Sequence, residues 1–368
     1  MELPDKAFVA AIASIEGIGA RQTAHLVDVF GGAVNAWQAP EQEVRSRLFP
    51  ENLADRFLSE RSFIDVEANY LTLQKESIDI VSICEEEYPR ALKEISSPPA
   101  VLYIKGRLPN SCLTHVAVVG TRRATLYGRK IAERLCSQLA ERGIVVVSGM
   151  ARGIDTCAHK GAVHSGGYTV AVLGCGLDIV YPKENQELME QIIERGAVIS
   201  EFPLGTPPER TNFPARNRII SGLSRGVLVV EAPEKSGALI TADFALEQGR
   251  EVFAVPGPIN SANSRGCHSL LKQGAKLTEN VQDILEELET GFQYTFPFSQ
   301  EEENSHSMPG TSDREMEEVI ALLAGGPAAV DEICEETGKS PSELNRVLTK
   351  MELEGLIIKA EGKIHIIT

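Results

Sequence analysis

The sequence predicts an α/β fold: a doubly wound, mostly parallel sheet in mid-chain, helices before it, and a small domain of helices and a hairpin after it. Three observations carry this. Between Cys112 and about Leu288, short apolar runs alternate with stretches of helical spacing, the signature of strand–helix–strand units. The runs at 116–119, 144–147 and 169–173 are apolar throughout rather than alternating, as strands buried on both faces are. Four successive runs end in glycine or Ser-Gly turns, which leave open backbone where ligands bind to such sheets.

Residues 5 to about 62 read as helical throughout. Ala7, Ala10, Ile12 and Ile15, then Ala24, Leu26, Val27 and Phe30, recur at near-helical spacing. Glu16-Gly17-Ile18-Gly19 between them resembles the turn of a SAM-like helix-hairpin-helix, whose amides bind a DNA phosphate. Arg21 is the one nearby cation, so a plain turn needing glycine for positive φ is the favoured reading. We assign residues 1–75 to a helical domain. Next, Ile78–Val81 and Val101–Ile104 read as strands around Tyr88-Pro89-Arg90 and Pro98-Pro99, a small α/β connector on the main domain. With it, the core spans residues 76–290.

The core is organised around His115–Arg129, HVAVVGTRRATLYGR. Val116–Val119 is a strand, Gly120 stops it, and from Tyr127 the spacing of Ile131, Leu135 and Leu139 is helical. Such a turn aims backbone N–H groups and the positive end of a helix dipole at one point, which suits a phosphate. The next strands are Gly143–Val147, Thr169–Leu173, Val198–Ser200, Val227–Glu231 and Glu251–Val255. Ser148–Asp155 opens a helix over 156–164, with Asp155 expected as its N-cap. Another helix follows Ser236-Gly237, from Ala238 to Gln248.

Residues 291–312 read as an acidic, Ser-rich linker, and 313–368 as a last domain. Met316, Val319, Ile320 and Leu323 space one helix; Val330, Ile333 and Cys334 a second; Ser340-Pro341-Ser342-Glu343 caps a third. Gly355–Ile367 alternates as a hairpin around Glu361-Gly362. Three helices and a β wing resemble a winged helix. Its third helix carries Arg346 and Lys350 but also Glu343, Glu352 and Glu354, which favours protein contact or structure over groove reading.

The 368 residues carry a net charge of −16, which argues against coating nucleic acid through an overall field and restricts any such site to a local basic pocket. Seven scattered cysteines without a CxxC pair suggest a reduced, cytoplasmic protein with neither disulfide framework nor zinc site. No basic segment followed by a long apolar run opens the chain, and no apolar stretch reaches the ~18 residues of a membrane span, so no membrane partner is expected. There is no GxxxxGK[ST] and no GxGxxG after a strand, so no cofactor is expected. Cys157 and His159 point to different helix faces, and Cys267-His268 stands alone; both pairs read as packing residues, and no catalytic residue is assigned.

What stands out is a set of cations on the loops at the strands' carboxyl ends: Arg122 and Arg123, Arg152, Lys183, then Arg210, Arg216 and Arg218. Arg216 and Arg218 sit near a helix start, where the dipole disfavours cations, and residues placed against local preference often serve function. Arginine forks and a lysine point charge fit phosphates, and Phe213 and Tyr181 supply rings for bases; stacking over a basic groove is how single strands are held.

Seven motifs in order, at 118–122 (VVGTR), 148–159 (SGMARGIDTCAH), 173–185 (LGCGLDIVYPKEN), 200–208 (SEFPLGTPP), 212–224 (NFPARNRIISGLS), 236–242 (SGALITA) and 266–275 (GCHSLLKQGA), resemble the DNA-processing protein A family (DprA, also called Smf). The resemblance runs from about Tyr88 to Leu288. It implies a Rossmann-like core that binds single-stranded DNA without sequence preference, forms a homodimer, and helps load the recombinase RecA past single-strand-binding protein in natural transformation, without being an enzyme. It makes Arg122 and Lys183 phosphate-binding positions. It lines the same pocket with Gly120, Thr121, Ser148, Gly149, Gly176, Asn185, Phe213, Arg216, Asn217 and Arg218, to which the rim reading adds Arg123 and Arg152. The competing readings are a nucleoside-monophosphate hydrolase of the lysine-decarboxylase-like (LOG) family, whose PGGxGT stretch is missing where this chain reads EKSGALITADF, and a scaffold without nucleic-acid affinity.

Overall fold

A computed structural model describes residues 3–47, 51–109 and 112–290 and, nearer the C-terminus, 319–320, 322–323, 326, 328–339, 344, 347–348, 351, 357–360 and 363–366. The chain divides into two units, Met1–Thr295 and Phe296–Thr368.

The first unit opens with helices α1 (Asp5–Ala13), α2 (Ala20–Phe30), α3 (Ala33–Gln38), α4 (Glu41–Arg47), α5 (Glu51–Arg61) and α6 (Val66–Lys75). The turn between α1 and α2 holds Gly17 at φ +81°, which a side chain would strain. Arg56 covers this turn, donating from Nη1 to the Glu16 carbonyl at 3.0 Å. The apolar faces of these helices, with Phe8, Ile12, Leu26 and Phe57, share one core with Ala171, Leu173 and Val198 of the sheet.

The sheet follows as β1 (Ile78–Ser82), α7 (Arg90–Lys93), β2 (Val101–Gly106), β3 (His115–Val119), α8 (Leu126–Glu141), β4 (Val145–Ser148), α9 (Ile154–His164), β5 (Thr169–Leu173), α10 (Gln186–Arg195), β6 (Ala197–Ser200), α11 (Asn212–Gly222), β7 (Gly226–Val229), α12 (Gly237–Glu247), β8 (Glu251–Ala254), α13 (Arg265–Lys272), β9 (Lys276–Leu277) and α14 (Val281–Thr290). Among the described residues it has nine strands in the order β1-β2-β6-β5-β4-β3-β7-β8-β9. Strands β3 to β9 pair in parallel, while β2 runs antiparallel to β6 and β1 antiparallel to β2. The stretch expected as a connector is thus two strands of the sheet itself. Tyr103–Gly106 pairs with Ala197–Ser200, a long-range register that no local pattern announces. Strand β9, two exposed residues long, is too short to leave a pattern.

Alternation within the buried strands builds two cores. Ala117, Val119, Val145, Val147, Val227 and Val229 face one side, with residues of α11, α12 and α13. Val116, Val118, Val146 and Leu228 face the other, under α8, α9 and α14. Each of these valine and leucine side chains taken fully from water is worth about 1.5–3 kcal/mol. The chain enters the parallel sheet at β3, winds to one side through β4, β5 and β6, and returns to β7 beside β3. The winding direction therefore reverses between β3 and β7, and that is where a crevice opens at the carboxyl ends.

One local expectation fails. Asp155 is not the N-cap of α9. Gly153 holds that position at φ +81°, pressed so closely on the carbonyls of Thr121 and Arg122 that a Cβ would clash. Asp155 lies in the first turn, and its Oδ2 accepts from the Ala151 N–H at 3.3 Å.

In the second unit, residues 319–320 and 322–323 are helical, α15 spans Val330–Thr337, and β10 (Ile357–Ala360) pairs antiparallel with β11 (Lys363–Ile366), forming the expected hairpin. Val319, Leu323, Ile333, Leu344, Leu348, Ile357 and Ile364 form its core. The linker, the 340–343 capping box and Arg346, Lys350, Glu352 and Glu354 lie outside the described residues. No helix among the described residues is long and apolar enough to cross a membrane.

Candidate nucleic-acid interface

The turn after β3 is built from backbone and buried carboxylate. The Thr121 N–H donates to the Glu231 carbonyl at 2.7 Å, joining the carboxyl ends of β3 and β7 across the switch point. The Glu231 side chain, 4% exposed, reaches under the turn: Oε2 accepts from the Thr125 N–H at 2.9 Å and Oε1 from the Thr125 hydroxyl at 2.6 Å. Thr125 in turn caps α8 by accepting from the Gly128 N–H at 3.2 Å. Its packing leaves room only for glycine at 120 and 128, where a Cβ would strike Ile154 or the Glu231 carboxylate. The turn is thereby fixed with Arg122 and Arg123 on its exposed side.

Beside it opens a cavity of about 390 Å³. Gly120, Thr121, Arg122 and Arg123 wall one side, the first two turns of α11 (Phe213, Arg216, Asn217) a second, and the start of α12 with Lys235 and Ser236 a third. The start of α11 and the start of α12 both line it, adding two positive dipole ends. The Phe213 ring is the hub: the Arg122 guanidinium lies 4.9 Å from its centroid, that of Arg216 5.9 Å, and Tyr181 packs on it at 5.5 Å. Tyr181 links the Lys183 loop to the cavity, and Lys183 itself is exposed.

The other candidates divide by what holds them. Arg216 is 3% exposed and donates to the Gly149 carbonyl at 2.8 Å and to the Val172 carbonyl, lashing α11 to the ends of β4 and β5. Asn217 joins α11 to α12 by donating to the Gly237 carbonyl at 3.2 Å. The Ser148 hydroxyl donates to the Val118 carbonyl at 2.6 Å. Asn185 donates to the Met150 carbonyl and the Thr156 hydroxyl, both at 2.9 Å, holding the Lys183 loop against the turn before α9. Gly149 and Gly176 allow close approach, of Arg216 in one case and of Pro203 and Asp178 in the other. Arg152 is ion-paired with Glu184, and Arg218 with Glu201 through two bonds of 2.6 Å. Neither Arg152 nor Arg218 lines the cavity. By contrast Arg122, Arg123, Lys183, Arg210 and Lys235 make no ion pair among the described residues.

Burial sets the floor's electrostatics. It pushes the Asp155 carboxyl up to about 6, against the pull of Arg216 and of the Ala151 N–H. It pushes Arg216 down to about 10, opposed by Asp155 and assisted by Arg122, so Arg216 keeps its charge at neutral pH. His159 in α9 is driven down to about 3 by burial and by Arg216, and stays neutral. Because the Thr169 hydroxyl donates to the Val146 carbonyl at 2.7 Å, it accepts from His159 Nδ1–H, also at 2.7 Å. His159 is thus a packing residue, as is the wholly buried Cys267.

Sequence reasoning missed Lys235 and Glu231. Lys235 was within reach, since a cation before Ser236-Gly237 repeats the pattern of the earlier rim loops. Glu231 was not, because its partner Thr125 is distant in sequence. Among the described residues no group of three or more His, Cys, Asp or Glu is placed to hold a metal ion.

Residues 79–289 match the family model described as DNA recombination-mediator protein A, and residues 304–363 that of the DprA winged helix domain. The chain is similar to Protein Smf of Escherichia coli (strain K12), 41% identical over 314 residues, covering 84% of this chain and 82% of that one. It is 44% identical over 227 residues to DNA processing protein DprA of Streptococcus pneumoniae, covering 62% and 80%. The X-ray structure of DNA processing protein A from Streptococcus pneumoniae superposes with a TM-score of 0.66 at 37% identity, over 78% of this chain and 99% of that one. A structure of DNA processing protein A from Helicobacter pylori, concerned with its single-stranded DNA binding mode, gives 0.52 at 31% identity, over 58% and 96%.

Proposed function

The chain belongs to the DNA recombination-mediator protein A family, and from that premise we propose that it binds single-stranded DNA without sequence preference in the β3/β7 crevice. The observation that carries this is the set of cations without an ion pair among the described residues, Arg122, Arg123, Lys183 and Lys235, around or beside a Phe213–Tyr181 ring pair in a chain of net charge −16. A phosphate finds charge, helix N-termini and backbone there, and a base finds a ring. A duplex hides the base faces that this arrangement serves. The Helicobacter pylori relative's single-stranded DNA binding mode points the same way. The remaining roles belong to the same proposal: a strand held by its phosphates keeps bases free for transfer to RecA past single-strand-binding protein, in the cytoplasm, by a homodimer with no enzymatic step.

Fluorescence anisotropy with a ~20-nucleotide single strand and its duplex, across a salt series, tests it. The expected result is a strong single-strand preference that Arg122→Glu and Lys183→Glu each weaken by about 1.5–3 kcal/mol, the scale of a charge-assisted contact. Removing residues 313–368 should leave most of that affinity. Equal binding to both forms, or none, overturns the reading.

A further inference from the structure

The surface next to the crevice carries an unusual stretch. Residues 122–130, RRATLYGRK, hold four cations and no carboxylate, in a chain where carboxylates outnumber cations 52 to 36. Arg129 and Lys130 lie in the first turns of α8, where the dipole disfavours cations, and neither is ion-paired among the described residues. Leu126 and Tyr127, 70% and 43% exposed, stand one helical step before them, so each apolar side chain has a cation at i+3. Ile259, 91% exposed, comes from the loop between β8 and α13. That loop is pinned against the phosphate turn: the Tyr127 hydroxyl donates to the Pro256 carbonyl at 2.9 Å, and Asn263 donates to the Arg123 carbonyl at 3.1 Å. The Asn263 carbonyl accepts from the Ala232 N–H at 2.8 Å, which ties the loop to the end of β7 as well. Apolar side chains are therefore held out in water on a rigid support, interleaved with cations, and continuous with the cavity through Arg123.

We infer that the single strand leaves the crevice over this shelf, its unpaired bases lying on Tyr127 and Ile259 while Arg123, Arg129 and Lys130 take its phosphates. The inference rests on the proposed single-strand site and deepens it: it gives the strand a direction and makes affinity depend on length. The chemistry selects its occupant. Apolar side chains interleaved with cations match the alternation of base and phosphate in a flexible strand, whereas a duplex offers phosphates only.

The test compares strands of ~6 and ~20 nucleotides, the first filling the crevice and the second also reaching the shelf. Anisotropy would be read for the intact chain, for Tyr127→Ala with Ile259→Ser, for Ile259→Ser alone, whose exposed side chain cannot unfold the protein, and for Arg129→Gln with Lys130→Gln. Expected is a gain in affinity with length that the apolar double variant loses by about tenfold and Ile259→Ser loses in part, with the short strand unaffected. The cation variant, which removes two phosphate contacts, should lower the salt slope for the long strand by about 1.4. An undiminished length gain in all variants overturns the shelf and leaves the crevice standing. Equal losses for short and long strands overturn it too, since the residues would then act within the crevice. If the intact chain binds neither strand, the crevice reading has failed and takes the shelf with it.

Discussion

The floor and the rim of the crevice use the same residue types to opposite ends. On the floor Arg216, Asn217, Asp155 and Glu231 are buried and held by partners within the fold: Arg216 and Asn217 by backbone carbonyls of other elements, Asp155 by the Ala151 N–H, and Glu231 by the Thr125 N–H and hydroxyl. On the rim Arg122, Arg123, Lys183 and Lys235 are exposed or line the cavity, with no ion pair among the described residues. The same arginine is a strut when its guanidinium is enclosed by carbonyls and a ligand group when it is not. Arg152 and Arg218 fall between, at the crevice end of the sheet but neutralised by Glu184 and Glu201.

This contrast breaks first at Arg216. Arg216→Ala should cost about 3–5 kcal/mol of stability in urea unfolding, because Asp155 loses its nearby cation and two carbonyls lose their donor. Lysine should not rescue it, lacking the planar fork. A stable Arg216→Ala protein that bound DNA poorly would move Arg216 from floor to rim. Arg122→Glu should do the reverse, weakening single-strand binding by about 1.5–3 kcal/mol while stability shifts by no more than ~0.5 kcal/mol.

The floor should also make stability depend on pH where the rim does not. His159 is depressed in the folded protein to about 3, so its contribution is present above the ordinary histidine value and fades as pH falls below it. Asp155, raised to about 6, works oppositely, the cost of its ionised form easing on acidification. The stability difference between the wild type and His159→Gln should therefore narrow by about 2 kcal/mol from pH 7 to pH 5, at unchanged Asp155. A constant difference over that interval would mean that His159 titrates in the folded state. The smallest effect is expected at the exposed Arg152–Glu184 pair: Glu184→Gln should leave stability essentially unchanged, because solvent screens the pair, and strengthen strand binding slightly by freeing Arg152. Weaker binding would show that Glu184 positions the loop rather than masking its cation.

Much of this was legible in the sequence because its cause is local. Apolar runs marked β3 to β8, since a strand covered on both faces needs side chains that tolerate burial on both. Glycine placed the turns at 120, 149 and 176, since close backbone approach leaves no room for a Cβ. Thr121, Arg122 and Arg123 were placed on the turn after Gly120. Asp155 misled as a cap because an acidic residue before a helical run fits the local pattern, while contact of Gly153 with the Thr121 carbonyl, 32 residues away, set the real boundary.

By itself the sequence determined the α/β class, most strands and helices, the end of the sheet that carries the glycine turns and their cations, and the family through its ordered motifs. Strand order was left to tertiary structure. So was the place of β1 and β2 in the sheet, because register between distant segments is fixed by pairing and not by composition. The tertiary structure likewise decided which cations are free. An arginine's side chain is the same at 122 and 216, and only the carbonyls of Gly149 and Val172, brought around it by the folded sheet, turn one into a strut and leave the other exposed at the cavity.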